Sequence, residues 1–190
     1  MKAILIIFLF SCYLCIPGGW EKHSVYENSF EINRSFMAAF KDYTARINTK
    51  AEIDDLIRLT VYSKVVNGVI YKITFVDSQS GYNTIQEYEI FNSVTSKNGP
   101  DFEIKNYKEY ESTKGLIPSN DSEFTLLENQ LYSFLKKADT TLEYISYVYP
   151  IENNETNFYI INAETSGGEH QYIMGQDKTS KEFEFFEIIK

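Results

Sequence analysis

Apolar positions recur along this chain with two different periods. Phe36, Phe40, Tyr43 and Ile47 fall three or four residues apart, and Met37 and Ala39 widen the stripe. Polar Asn33, Lys41, Asp42 and Arg46 take the other faces. This spacing predicts an amphipathic helix from about Phe30 to Asn48, capped by Asn28 or Ser29. The period then shortens. The run Ile57 to Ser63 alternates and is rich in β-formers, and Val69 to Val76 reads as its antiparallel partner across a turn at Asn67-Gly68. Asn-Gly between two such runs is a strong hairpin signal. Residues 77–81 form a second turn, Thr84 to Phe91 a third strand, and residues 98–101 turn the chain again before Phe102 to Tyr107.

The same order follows a second time. Phe124, Leu127, Leu131, Phe134 and Leu135 make another helical stripe, with Asn120-Asp121-Ser122 at its start. Strands are expected at Leu142 to Tyr149, Asn157 to Asn162, Gln171 to Met174 and Phe183 to Ile188. The stretch from Glu111 to Pro118, with its Gly and Pro, is the natural linker. The pattern therefore predicts two tandem α+β units, residues 18–110 and 111–190. Each is a helix packed on an antiparallel sheet.

Composition fits folded domains of this kind. The chain has 190 residues, 43% hydrophobic and 16% aromatic, enough for a core and unlike a disordered segment. Residues 1–17 read as a secretory signal peptide: Lys2, an apolar run from Ala3 to Phe10, then small residues. Leu9-Phe10-Ser11-Cys12 also fits a bacterial lipobox. Both cysteines, Cys12 and Cys15, lie in this segment, so the mature chain would have no disulfide, thiol nucleophile or cysteine metal site. No later stretch reaches transmembrane length, so no membrane association is expected after cleavage. The formal charge is −9, which disfavours nucleic acid as a partner because phosphate contacts need Lys and Arg. Asn33-Arg34-Ser35, Asn120-Asp121-Ser122 and Asn154-Glu155-Thr156 are N-glycosylation sequons.

Catalytic chemistry finds little support. His23 and His170 are the only histidines, and no nucleophile motif surrounds a serine. Asp54-Asp55 and Glu87 with Glu89 could pose as paired carboxylates, but solvated faces account for them. No phosphate cradle, metal site or cofactor motif is visible, so the chain is not read as an enzyme.

The run Lys64-Val65-Val66-Asn67-Gly68, preceded by a helix pattern and by Gly18-Gly19-Trp20, resembles the cystatins, protein inhibitors of papain-like cysteine proteases. The resemblance implies a helix wrapped by a four- or five-stranded antiparallel sheet, here repeated twice with a degenerate second copy. It also implies a wedge of three parts that enters the protease cleft. Gly18 and Gly19 match the N-terminal part. Val66 and Gly68 match the Val and Gly of the first hairpin loop, Val65 and Asn67 stand at variable positions, and Lys64 stands where Gln is usual. Pro100 matches the second loop, although Asp101 follows where Trp is expected. The nearest tryptophan, Trp20, lies at the other end of the domain. The second unit has no Gly at its first-loop place, residues 151–156, and carries a sequon there. The implied function is a secreted, reversible, competitive inhibitor of papain-like cysteine proteases acting through domain one. The alternative is a secreted cystatin-fold binding or adhesion module without protease inhibition.

Overall fold

The computed structural model describes residues 19–47, 51–77, 84–93, 101–112 and 114–188. The signal-like segment 1–17, Gly18 and Pro100 lie outside them. The chain is α+β, with two helices and two antiparallel sheets. A short strand β1 (Glu21–His23) precedes helix α1 (Phe30–Ile47) and a single 3-10 turn (Ile53–Asp55). Strands β2 (Leu56–Val66), β3 (Gly68–Asp77), β4 (Thr84–Ser93) and β5 (Asp101–Glu111) follow. Helix α2 (Ser122–Lys137) then leads into β6 (Leu142–Glu152), β7 (Thr156–Thr165), β8 (Gly168–Asp177) and β9 (Phe183–Ile188). The first sheet has the order β1-β2-β3-β4-β5, the second β6-β7-β8-β9.

The helices begin where their caps dictate. The Ser29 hydroxyl accepts the Ile32 N–H at 3.2 Å, and the Asp121 carboxylate accepts the Glu123 N–H at 2.8 Å. Each side chain thus satisfies an amide that has no partner within its helix. Most strands run two to five residues beyond their apolar cores, because the ladder continues through polar positions. Pro150 sits inside β6 opposite Tyr159. It is tolerated because β6 is an edge strand and need not donate on both sides.

Alternation along the strands sorts the core into three layers. Ile32, Phe36, Ala39 and Tyr43 of α1 pack with Val61, Tyr71, Ile73, Phe75, Tyr88 and Ile90 of the first sheet. Phe124, Leu127, Leu131 and Leu135 of α2 pack with Val148, Tyr159, Ile161, Tyr172 and Met174 of the second. Between the sheets, Leu59, Val76 and Ile85 meet Ile151, Phe158, Ile160, Ile173 and Phe186. Along β7, Phe158 and Ile160 face the other sheet, while Tyr159 and Ile161 face α2. A strand buried on both faces reads as a continuous apolar run, which is why this segment does not alternate with polar residues. Each such side chain contributes about 1.5–3 kcal/mol relative to exposure.

A bulge between Arg58 and Thr60 adjusts β2 to these layers. Arg58 lies over the Phe36 ring at 5.2 Å on the helix side, whereas Leu59 joins the inter-sheet cluster. The extra residue returns Val61 to the helix side.

The segment joining the sheets is anchored. The Ile117 N–H donates to the Val148 carbonyl at 3.0 Å, and the Ile117 side chain is buried beside α2.

Candidate functional site

Three parts of the first sheet come out at one end. The β2–β3 ladder closes through Lys64↔Ile70, Val65↔Val69 and Val66↔Gly68, leaving Asn67 alone at the tip. Strand β1 pairs Glu21 with Ser63, so Trp20 and Gly19 continue toward Lys64 and Val65. Val69 pairs with Asn92, and β4 meets β5 last at Ser93↔Asp101, so these two strand ends lie beside the Val66–Gly68 turn. Among the expected wedge residues, the structure gathers Gly19, Lys64, Val65, Val66, Asn67 and Gly68 along one edge. Val65 and Val66 are 44% and 45% exposed, an unusual pair of apolar side chains standing free of both packing layers.

The two described glycines of this edge differ in what they do. Gly68 has φ +133°, and a Cβ there would stand 2.6 Å from Phe91 Cε2 and 2.7 Å from the Asn92 carbonyl oxygen. The fold itself requires a glycine at this position, through both the backbone angle and the close approach of β4. At Gly19 an added Cβ would meet nothing within 4 Å. The fold makes no such demand there.

Trp20 belongs to this edge. In sequence it is remote from the hairpin, but the β1 pairing carries its indole to 5.7 Å from the Lys64 ammonium and 4.5 Å from that of Lys72. Reading the chain linearly missed it because the juxtaposition depends on a three-residue strand with no apolar pattern.

Behind the edge, the inner face of the first sheet carries charge. The Lys72 ammonium, on a residue only 6% exposed, donates to Glu155 Oε1 at 2.6 Å. Glu87 is also buried, which corrects its reading as a solvated carboxylate. Its carboxylate accepts from Tyr110 Oη at 3.1 Å and Asn153 Nδ2 at 3.2 Å. Burial pushes the Glu87 carboxyl up, and Lys72 pulls it part of the way back. Asp54 remains exposed, in the 3-10 turn. Glu87 and Asp54 thus lie in different environments, one buried and one exposed.

His23 makes a contact that its lone position in the sequence gave no sign of. Its Nε2 lies 2.7 Å from Ser63 Oγ and its Nδ1 lies 3.1 Å from Glu27 Oε2. This is the line-up of a serine–histidine–acid relay. Ser63, however, is 8% exposed and sits within the β1–β2 ladder, where the histidine bridges the two strands. A cleft of about 430 Å³ beside it is lined by His23, Val25, Tyr26, Phe185 and Phe186.

In the second sheet, the turn at the first-loop place, Asn153–Thr156, is folded inward. Asn153 and Thr156 are buried. The Asn153 side-chain oxygen accepts the Glu155 and Thr156 N–H groups at 3.0 and 2.7 Å, and its carbonyl accepts the Lys178 ammonium at 2.8 Å. Of the sequon asparagines, Asn120 and Asn154 are exposed in turns. Asn33 lies in α1, where it donates to Asn28 and accepts from Arg58, and its sequon partner Ser35 is buried.

Among the described residues no group of His, Cys, Asp and Glu could hold a metal ion, and no helix is long and apolar enough to cross a membrane. No protein-family model matches the chain, and no curated protein matches it.

Proposed function

We propose that the chain is a secreted, reversible, competitive inhibitor of papain-like cysteine proteases. It would consist of two cystatin-like units, of which the first, residues 18–110, acts. The observation that carries this reading is the convergence of Gly19, the Val65-Val66-Asn67-Gly68 turn and the strand ends Ser93 and Asp101 on one edge of the first sheet. The strand order β1-β2-β3-β4-β5, with α1 inserted between β1 and β2, supports a cystatin-like layout for this unit. Helix α2 with β6 to β9 supports a second, shorter unit of the same kind.

In this mechanism the edge fills the cleft as a product-like plug. Val65 and Val66 bring apolar area that is already out of the core and costs little rotamer entropy to bind. The turn at Val66–Gly68 is too tight to offer an extended scissile bond to the nucleophile. The second unit offers no equivalent wedge, because its corresponding turn is committed to the first sheet.

A secreted binding or adhesion module of the same fold is the competing reading. Lys64 in place of Gln and Asp101 after Pro100 favour it. Titration of the folded protein into papain and a cathepsin-like enzyme separates the two. Saturable competitive inhibition that is lost in Val66→Asp supports the inhibitor. No inhibition at high micromolar concentration overturns it in favour of the binding module.

A further inference from the structure

The second sheet reaches the candidate binding edge through three side chains. Glu155, in the β6–β7 turn, holds the Lys72 ammonium at 2.6 Å. That ammonium lies over the Trp20 ring at 4.5 Å, and Lys64 approaches the same ring at 5.7 Å. Trp20 adjoins Gly19, the first residue of the candidate edge. The turn that supplies Glu155 is rigid, because Asn153 ties it internally through two backbone amides and externally to Glu87.

We propose that the β6–β7 turn is a brace for the binding edge, in which Glu155 positions Lys72, and Lys72 holds Trp20 and with it the start of the edge at Gly19. The meaning of the edge rests on the inhibitor reading, but the geometry of the brace does not. The physical case is one of competition for a buried cation. An ammonium withdrawn from water needs a counter-charge, and two carboxylates are within its field on this face, Glu155 and Glu87. Glu155 lies at the open side and keeps Lys72 beneath the indole. Glu87 lies deeper and is already engaged by Tyr110 and Asn153. Without the Glu155 charge, Lys72 turns to Glu87 and the indole loses the nearer of its two cations. Trp20 is then tethered by Lys64 and the short strand β1 alone. The second unit, which presents no wedge of its own, thereby acts as a positioning element for the first.

Trp20 is the only tryptophan in the chain, so its fluorescence reports this position without a label. The experiment is acrylamide quenching of Glu155→Gln against the parent chain. Trp20 is 38% exposed, which leaves room for a rise in quenching constant of about twofold once the cation–π contact is released. Glu152→Gln is the control, since Glu152 pairs with Lys114 and Lys178 and neither touches Trp20. A rise in Glu155→Gln only, with unchanged far-ultraviolet circular dichroism, supports the brace. An unchanged constant, or an equal rise in both variants, overturns it. Should Glu155→Gln fail to fold, Glu155→Asp keeps the charge and shortens the reach. A 5-fluorotryptophan resonance that does not move in Glu155→Asp then overturns the brace. Protease titration of the same proteins is read separately. Raised quenching in Glu155→Gln with no inhibition by the parent chain refutes the inhibitor and leaves the brace standing. Unchanged quenching with inhibition intact does the reverse.

Discussion

Gly68 and Phe91 are in such close approach that a methyl group on the one would overlap the ring of the other, at 2.6 Å. This places the glycine of the candidate turn under the control of packing, whatever that turn binds. Gly68→Ala is expected to destabilise the fold by about 2–4 kcal/mol, from overpacking and from an L-residue forced to positive φ. Urea unfolding measures it. A variant of Gly68 that loses inhibition therefore proves nothing about the protease contact unless its stability is measured too.

Gly19 and Val66 give the cleaner functional test. Neither is held by the core, since Gly19 has open space around it and Val66 stands 45% exposed. Gly19→Glu and Val66→Asp should unfold at the same urea concentration as the parent chain. If the edge acts as proposed, each should weaken protease inhibition at least about tenfold, or roughly 1.4 kcal/mol, through lost apolar contact at Val66 and an added charged side chain at Gly19. Equal inhibition constants for parent and variants would remove this edge from the binding surface.

Tyr43 and Asp77 link α1 to the end of β3. The phenol donates to Asp77 Oδ2 at 2.9 Å within the core. Tyr43→Phe should cost about 1–3 kcal/mol, because the buried carboxylate loses a donor and gains none. The thermal midpoint should fall accordingly.

The pH dependence of stability has two limbs. Burial, reinforced by Asp77, raises the Tyr43 phenol above its ordinary 10.0, and burial with Glu123 does the same for Tyr159. Their contribution is fully present below pH 10 and is lost as pH climbs further, because the unfolded chain ionises first. Asp177 runs the other way. Amide donors from Ser180 and Thr179 hold its carboxyl below the ordinary 3.8. Its contribution is present above that value and is lost as the solution becomes more acidic. Denaturant midpoints measured from pH 2 to 11 should therefore decline at both ends. In Tyr43→Phe the alkaline decline should be shallower.

Ser63, His23 and Glu27 copy the hydrogen bonds of a hydrolytic relay but are expected to serve as a clasp for β1. Ser63→Ala should lower stability by about 1 kcal/mol and leave the protein without any change in ester-cleaving activity. A fluorophosphonate probe should give no adduct on the parent chain. A stoichiometric adduct on Ser63 would reverse this assignment and make the 430 Å³ cleft beside His23 a substrate pocket.

Much of this architecture was legible in the order of residues. The stripe from Phe36 to Ile47 and the cap at Ser29 set α1 almost to the residue. The Asn67-Gly68 turn sits where two alternating runs meet. Strand β1 was not legible, because Glu21, Lys22 and His23 carry no apolar period. Its place is fixed by pairing with β2, by the His23 clasp and by the Lys22–Glu184 ion pair at 2.7 Å. The meeting of the two sheets was hidden for a related reason. Lys72 and Glu87 are buried at that interface with Glu155 at its open side, and Glu87 reads in sequence as a solvated position. Only the apolar end, from Leu59 to Phe186, betrays a buried face, and its residues come from seven strands. Trp20 was misplaced because its neighbours, Lys64 and Lys72, are brought to it by strand pairing and not by sequence distance.

The apolar layer shared by the sheets also constrains how the chain can change. A fragment ending at Glu111 would carry Leu59, Val76 and Ile85 on a bare surface, and two such fragments would satisfy each other by pairing face to face. The second half fills the seat that a twin would otherwise take. What this half must keep is therefore the bulk of Phe158, Ile160 and Ile173, which covers that surface, together with the β6–β7 turn that meets Lys72 and Glu87.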